Sequence, residues 1–465
     1  MLIDQDVVER ALSHAMVKGA EWAEIFAEDR SSLSASFDDG HVEEVANGRE
    51  RGAGIRVVAG ETSGYAHTDD LSEQGLLRAA AVAAGAARAG VQAPPSGVSL
   101  SAGESHNPSA VEILPESVPR ERKVELLLAA DEAARSGRPA IKQVSAGYGE
   151  SRREILVAST SGVFVSDEHV RTRFSVNCVA SGDGGLQTGY ETTARTVGFE
   201  HFGGVEVEGL AAKAASRAVT KLSARPAPSG ELAVVLASGG GGVLFHEACG
   251  HGLEADHIAK DVSVYVGKIG AQVASPLVTL VDDGTQAGEW GSYGIDDEGN
   301  PGVRSVLIEG GVLQDYMWDR LRAGKEGRDV SGNGRRQSYR YMPMVRMTNT
   351  FILPGESDPD EIVAQTPHGV YVAQLGGGQV NTTTGDFVFG MTEAYLIEGG
   401  RITAPLRDAN LIGNGPQVLS LIDAVASDFG MQAGTCGKDG QSVPVGVGQP
   451  TLRIASVTVG GTADG

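Results

Sequence analysis

The sequence predicts an α+β chain of two domains. Residues 1–225 are expected to form an N-terminal α/β domain with helices on an antiparallel sheet, and residues 226–465 a β-rich domain carrying a metal-binding helix. Three observations lead there. Glycine supplies 65 of 465 residues with no collagen-like repeat, which implies many tight turns and close backbone approaches. Before residue 223 the hydrophobic period runs helix, strands, helix, and then does so again. Beyond residue 230, short apolar runs alternate with Gly turns around one histidine-bearing helix.

Taken in order, Val7, Val8, Ala11, Leu12 and Ala15 form the stripe of a helix over 4–17. Strands follow at 23–28, 33–37, 55–58 and 63–67, separated by Asp-Asp-Gly, Asn-Gly and Ala-Gly-Glu turns. Asp70 then opens a helix running to about Arg88, with Glu73 in capping-box position. Residues 91–118 contain Pro94, Pro95, Pro108 and Pro115 and read as a linker or long surface excursion. A helix over 119–135, strands between 141 and 196, and a helix over 207–222 complete the half. Gly64-Tyr65 and Gly189-Tyr190 end comparable strands, so a helix–sheet–helix unit is read as repeated. Pro226 and Pro228 mark the domain boundary, followed by a strand over 232–236, a Gly loop and the histidine helix. Two hairpins are expected further on, one across Gly310-Gly311 and one across Gly399-Gly400.

A net charge of −22 repels phosphate backbones and anionic lipid, and aromatics at 5% offer few stacking platforms; neither nucleic acid nor membrane is an expected partner. Cys178, Cys249 and Cys436 make no disulfide framework. The acidic N-terminus lacks a signal-peptide pattern, and no uncharged apolar run approaches the ~20 residues that span a bilayer. A cytoplasmic protein is expected.

The chemistry is concentrated in His246-Glu-Ala-Cys-Gly-His251. Two imidazoles beside a carboxylate are the parts of a hydrolytic metal site, the rings holding an ion and the acid moving a proton. The common zinc-protease spacing places its histidines four apart on one helix face. Here they are five apart, and five steps of about 100° leave them about 140° apart on a regular helix. The helix must widen by a residue or break near Gly250 for both to share an ion. A phosphate loop is a poor alternative, because no Lys-Ser or Lys-Thr follows the Gly run.

Two histidines leave a catalytic site short of the usual three protein ligands. Cys249, Glu254, Asp256, His257 and Cys436 are the candidates. Cys249 is read as a packed thiol, Glu254 as ligand or as partner to a histidine N–H, and Asp256 and His257 as solvated. Cys436 lies in a Gly-rich loop with Lys438 nearby to favour its thiolate. Spacing alone does not choose between Glu254 and Cys436.

Four segments together carry a resemblance: the histidine segment, Gly332-Asn-Gly-Arg-Arg-Gln-Ser-Tyr339 with Arg346-Met-Thr-Asn-Thr350, Gly376-Gly-Gly-Gln-Val380, and the run from Cys436 to Pro450. The chain resembles the TldD branch of the TldD/PmbA metallopeptidases, most specifically over residues 231–461. The resemblance implies His246, His251 and Cys436 as zinc ligands and Glu247 as catalytic base, with iron as the alternative metal. It implies unfolded peptides or peptide leaders as substrates, and a homodimer or a heterodimer with a TldE/PmbA-type subunit.

Gly376, Gly377 and Gly378, like Gly239 to Gly242, permit close backbone approach, so an extended peptide pairing with a strand edge is one reading and tight turns the other. Arg335, Arg336, Arg340 and Arg346 are read as ion pairs at a surface or subunit contact rather than as a carboxylate clamp. The competing functional readings are a regulatory protein with a structural zinc and an amidase acting on a small non-peptide substrate.

Overall fold

Long antiparallel strands dominate the first half of the computed structural model, which describes residues 2–16, 19–60, 62–87, 98–183, 185–204 and 207–462. Helix α1 (Gln5–Ala15) leads into β1 (Trp22–Asp38), β2 (His41–Ala59), β3 (Thr62–Thr68) and α2 (Glu73–Ala86). After the short β4 (Ser101–Ala102) the order returns as α3 (Arg120–Arg135), β5 (Ile141–Ser159), β6 (Val163–Gly182), β7 (Gly185–Arg195), a single turn α4 (His201–Gly204) and α5 (Val207–Leu222). The strands form one sheet, β3-β2-β1-β5-β6-β7, with every pair antiparallel and β4 adding a short parallel pairing to β6.

Several local expectations are corrected. Residues 23–28 and 33–37 belong to one strand, and Asn47-Gly48, expected as a turn, lies inside β2 opposite Leu33 and Ser32. A Cβ at Gly48 would come within 2.9 Å of Ser32 Oγ, so this glycine serves a close cross-strand approach. The hairpin turns where the Asp-Asp-Gly sequence was expected to turn, at Asp39-Gly40, whose φ values of 41° and 91° give the twist that a two-residue connection favours. Helix α2 is capped by Ser72, which accepts the Gly75 N–H, while Asp70 accepts the Ser72 N–H and an Arg78 Nη–H. Residues 88–97, where the end of that helix and the start of the linker were expected, lie outside the described residues. Residues 98–118 run against the sheet, through β4 and through Asn107, whose side-chain amide donates to the Glu168 carbonyl.

Alternation along β1 sorts its two faces. Ala23, Ile25 and Ala27 pack against Val8 and Leu12 of α1 and Leu76 and Ala80 of α2. Farther along, Leu33, Ala35 and Phe37 meet Leu127 of α3 and Ala211 and Ala215 of α5. Gly64 lies under the α2 backbone and Gly189 under that of α5; a Cβ would meet the Ala83 or the Ala214 carbonyl at 2.0 Å. The two Gly-Tyr sequences thus occupy matching places, each where a helix crosses a strand too closely for any side chain.

In the second half, five strands (Gly230–Leu236, His368–Val380, Asp386–Glu398, Asn410–Asn414 and Leu452–Gly460) pair in a cycle that closes on itself. A six-stranded sheet lies beside it, ordered Val312–Leu313, Arg304–Glu309, Leu280–Asp283, Asn349–Ile352, Gln441–Gln449, Gly430–Lys438. Both expected hairpins form, with φ of 53° and 81° at Gly310-Gly311 and 58° and 73° at Gly399-Gly400. One core, including Leu236, Phe245, Met317, Met347, Phe389 and Ile454, fills the space between them. Among the described residues no helix is long and apolar enough to cross a membrane.

The other face of β1 presents Glu24, Phe26 and Glu28 to the second half, and here the arginine cluster finds its place. Arg335, Arg336 and Arg346 are buried, which corrects the surface reading; only Arg340 is exposed, beside Glu50. Arg336 donates to Glu24 Oε1 at 2.7 Å and to the Asp297 carbonyl at 2.7 Å, with its guanidinium 4.3 Å from the centre of the Phe26 ring. Glu24 also pairs with Arg56, which reaches Glu298, and Arg153 pairs with both Glu28 and Asp297. Glu24–Arg56 and Glu28–Arg153 lie within the first half, whereas Arg336–Glu24, Arg56–Glu298 and Arg153–Asp297 hold only while the two halves stay together.

Candidate metal centre

The strand Gly230–Leu236 ends in the Gly run, which folds tightly against its own protein. A Cβ at Gly240 would sit 2.1 Å from the Ala373 carbonyl, and one at Gly242 2.6 Å from the Gly448 nitrogen. This run is occupied by packing, in keeping with the tight-turn reading. A short α-helix, Gly242–Phe245, then widens to π geometry over His246–Gly250 and tightens to a 3₁₀ turn over His251–Leu253. The His251 N–H donates to the His246 carbonyl five residues back. The extra residue per turn brings a five-residue step back to one face, as the spacing requires. Gly250 lies against Met347, where a Cβ would come 2.2 Å from Sδ and force that side chain to move.

The His246 and His251 rings lie 5.0 Å apart, centre to centre, at an angle of 82°. Cys436 Sγ approaches His251 Nε2 at 3.4 Å, and donor atoms of all three residues lie within 4.8 Å of one another. Cys436 is on a strand, Gly430–Lys438, and not on the flexible loop expected; the loop is only the two-residue turn Asp439-Gly440. All three side chains are buried. Glu247 is partly exposed, with Oε2 3.9 Å from His251 Nε2.

The neighbours hold the rings in place. His251 Nδ1 lies 2.9 Å from Glu254 Oε2, which leaves its Nε2 facing the thiol. Glu254 in turn accepts from Lys438 Nζ at 2.9 Å, and Lys438 also donates to Asp256 Oδ1 and the Val345 carbonyl. Lys438 therefore supports Glu254 instead of sitting beside the thiol, and Asp256, expected to be solvated, is buried as its partner. His257 Nδ1 takes a contact to the His251 carbonyl, and the Cys249 thiol donates to the Phe245 carbonyl, so neither joins the three donors. Arg346 donates to the Cys436 carbonyl and fixes the strand.

Burial pushes the Cys436 thiol up, but the facing His246 and His251 rings more than offset this and hold it down to about 4. Burial likewise disfavours the His251 imidazolium, yet Glu254 and the thiol raise it well above the usual histidine range. Glu254 is opposed by its burial and held well below the carboxylate range by Lys438 and His251. The sulfur is thus favoured as thiolate and His251 as imidazolium, whose proton a bound ion would displace. Both ring nitrogens of His246 are buried with no hydrogen-bond partner among the described residues, a costly state for an imidazole. Donors sharing one tetrahedral zinc ion lie roughly 3.5 Å apart, so the residues present fit such an ion.

Family models for the first, central and C-terminal domains of the PmbA/TldA metallopeptidases match residues 23–87, 113–222 and 229–461. This chain belongs to the TldD/PmbA metallopeptidase family. A Haemophilus influenzae relative called a metalloprotease TldD homologue is 41% identical, covering 96% of this chain and 94% of that one. A Buchnera aphidicola TldD homologue is 36% identical over 99% and 96% of the two chains. A Saccharolobus solfataricus relative called a zinc metalloprotease TldD homologue is 32% identical over 55% of this chain and 57% of its own. The fold is shared with a Thermotoga maritima protein described as a modulator of a DNA gyrase (TM-score 0.79, 19% identity, 98% and 100% coverage). It is also shared with TldE from Thermococcus kodakarensis (TM-score 0.76, 19% identity, 98% and 99% coverage).

In this TldD/PmbA family member, sequence reasoning missed the roles of Lys438 and Arg346. The signal for Lys438 was its position two residues from Cys436, which on a strand puts both on one face. Of the Gly376, Gly377 and Gly378 run, Gly378 lies against the Phe389 ring and Gly376 against Thr392, whereas Gly377 has open space. Pairing with Asp386–Glu398 shifts register between Leu375 and Gly378. On the other edge, pairing with Gly230–Leu236 ends at Val372, and the Leu375 N–H goes to the Gly240 carbonyl. Among the described residues nothing continues that edge past Leu375.

Proposed function

We propose that this chain is a zinc-dependent peptidase acting on unfolded peptides or peptide leaders, with His246, His251 and Cys436 holding one ion and Glu247 as general base. The observation that carries this reading is the buried convergence of three donors around a His246 ring whose two nitrogens bond to nothing else. Three protein donors leave a position for water, whereas a structural zinc site closes with four. The zinc named for the Saccharolobus relative supports the choice of metal, and iron is the alternative.

When bound, the ion lowers the pKa of a water from 15.7 towards ~7–9 and polarises the scissile carbonyl. Glu247, partly exposed beside His251, takes the proton as water attacks and returns it to the leaving amine. Glu254 and Lys438 keep His251 turned with Nε2 towards the site. Glu254→Gln is expected to weaken metal affinity about 10–100-fold, read by chelator competition, while the fold survives. Unchanged affinity would remove Glu254 from this supporting role.

A peptide is proposed to lie along the unpaired edge after Leu375, read through its main chain. Gly377→Pro removes a backbone donor at that edge and is expected to raise KM about tenfold with metal content unchanged. Gly377→Ala, which finds open space, is expected to behave like the parent, and equal KM in all three would discard the edge. A second subunit of the TldE/PmbA type, or a second copy of this chain, is proposed as partner.

The test is an unfolded peptide pool incubated with the metal-loaded protein, alone and with a TldE-type subunit, with and without chelator. New peptide ends that disappear with chelator and return with zinc are expected. A regulatory protein would bind metal and cut nothing, and an amidase would cut only small amides.

A further inference from the structure

Between the two halves lies a cavity of about 520 Å³, on the opposite face of the Gly430–Lys438 strand from the thiol: Thr435 lines it, while Cys436 faces the histidines. Six arginines line it, Arg30, Arg153, Arg171 and Arg173 from the first half and Arg335 and Arg336 from the second. Its three carboxylates are already taken. Glu150 pairs with Lys123 at 2.6 Å, Asp297 with Arg153 at 3.2 Å, and Asp296 accepts the N–H groups of Glu298, Asn300 and Gly334. Among the described residues Arg30, Arg171, Arg173 and Arg335 pair with no carboxylate.

Arg171 is the sharpest case. It is 7% exposed, and among the described residues its guanidinium makes one hydrogen bond, from Nε to the Trp290 carbonyl at 3.4 Å, with neither Nη group partnered. Its burial, with Arg335 and Arg153 close by, pulls it down to about 9. Beside it, His169 has Nε2 3.0 Å from Asp167 Oδ2, while among the described residues its buried Nδ1 and the buried Arg153 Nη2 have no partner. Trp290 and Tyr293 form apolar walls under the guanidinium groups of Arg171 and Arg335. Arg173 is exposed, Arg30 is half-buried and Arg335 donates to the Met347 and Pro444 carbonyls, so the cost of taking an unpaired cation out of water falls on Arg171, which is buried with no carboxylate partner among the described residues. In a chain of net charge −22 there was no shortage of carboxylates to neutralise it.

We propose that this cavity binds a small oxyanion carrying two or more negative charges, a phosphate or a polycarboxylate. The guanidinium forks match such groups bidentately, and the volume falls within the ~300–1,000 Å³ of small-molecule sites. Bound there, the anion ties Arg30 and Arg171 of the first half to the wall formed by Thr435, Ser442 and Pro444, the hairpin that carries Cys436.

Calorimetric titration of the metal-loaded full-length protein with inorganic phosphate and with succinate, at low ionic strength, tests it. One saturable site is expected for at least one anion, and the tighter of the two identifies the class. Arg171→Gln and Arg30→Gln are each expected to weaken binding about tenfold or more with metal content unchanged, while Arg78→Gln, on the exposed surface, binds like the parent. Arg30 is only part-buried, so its variant decides the matter should Arg171→Gln fail to fold. The proposal is overturned if neither anion saturates, if the foldable cavity variants bind like the parent, or if tetraglutamate binds more tightly than both anions.

Discussion

Glu247→Ala is expected to retain one equivalent of metal and to hydrolyse an unfolded peptide about 10²–10⁴-fold more slowly than the parent, the range that a positioned general base contributes. The separation of the two effects follows from the geometry. Glu247 is outside the group of three mutually close donors, partly exposed, and 3.9 Å from His251 Nε2. Its removal leaves His246, His251 and Cys436 in place and costs buried His251 only a carboxylate 3.9 Å away, with no hydrogen bond among the described residues lost. His246→Ala differs in kind: it deletes one of three donors, and both metal and turnover are expected to fall together. On the proposed ligand set, one thiolate and two neutral imidazoles would leave a bound divalent ion a single net positive charge, less than with three histidines, so proton removal would depend more heavily on Glu247. Metal analysis and peptide turnover on the same two preparations check the pair. A Glu247 variant that arrives metal-free, or one that cuts at the parental rate, would contradict the assigned role.

Arg336→Met is expected to lower stability by about 3–5 kcal/mol, the usual cost of breaking a buried ion pair from one side. The side chain is fully buried and serves both halves, bonding Glu24 from β1 and the Asp297 carbonyl and stacking on Phe26. Without it Glu24 keeps Arg56 but loses half its compensation, and the Asp297 carbonyl loses a donor. A double variant with Glu24→Gln is expected to recover part of the loss, because the stranded charge is gone as well. Urea midpoints of the three proteins measure this, and a single-variant change below about 1 kcal/mol would show the network to be replaceable.

What could be read from the residues was what depends on near neighbours. Gly310-Gly311 and Gly399-Gly400 announce hairpins because left-handed φ at two successive positions is a local demand, and the five-residue histidine spacing announces a helix either widened or broken near Gly250, of which the fold takes the first, because helical geometry is local too. Gly48 misled because its smallness answers to Ser32 on the next strand, not to a turn. The arginines misled for the same reason. Arg335 is satisfied by the Met347 and Pro444 carbonyls and Arg346 by those of Cys436 and Gln441, partners that no charge pattern reveals. Spacing left Glu254 and Cys436 open as the third donor; the fold places Glu254 on the far nitrogen of His251 and Cys436 on the near one, although 185 positions separate that cysteine from the ring.

The order of these pieces along the chain has a bearing on its synthesis. Both histidines and Glu247 leave the ribosome early, while the sulfur waits on a late hairpin, and the strand Leu452–Gly460, which closes the five-stranded ring by pairing on both sides, comes later still. On the proposed assignment a growing chain lacks one of its three donors until the hairpin carrying Cys436 has been made. The donor set would therefore come together only after most of the second half has emerged.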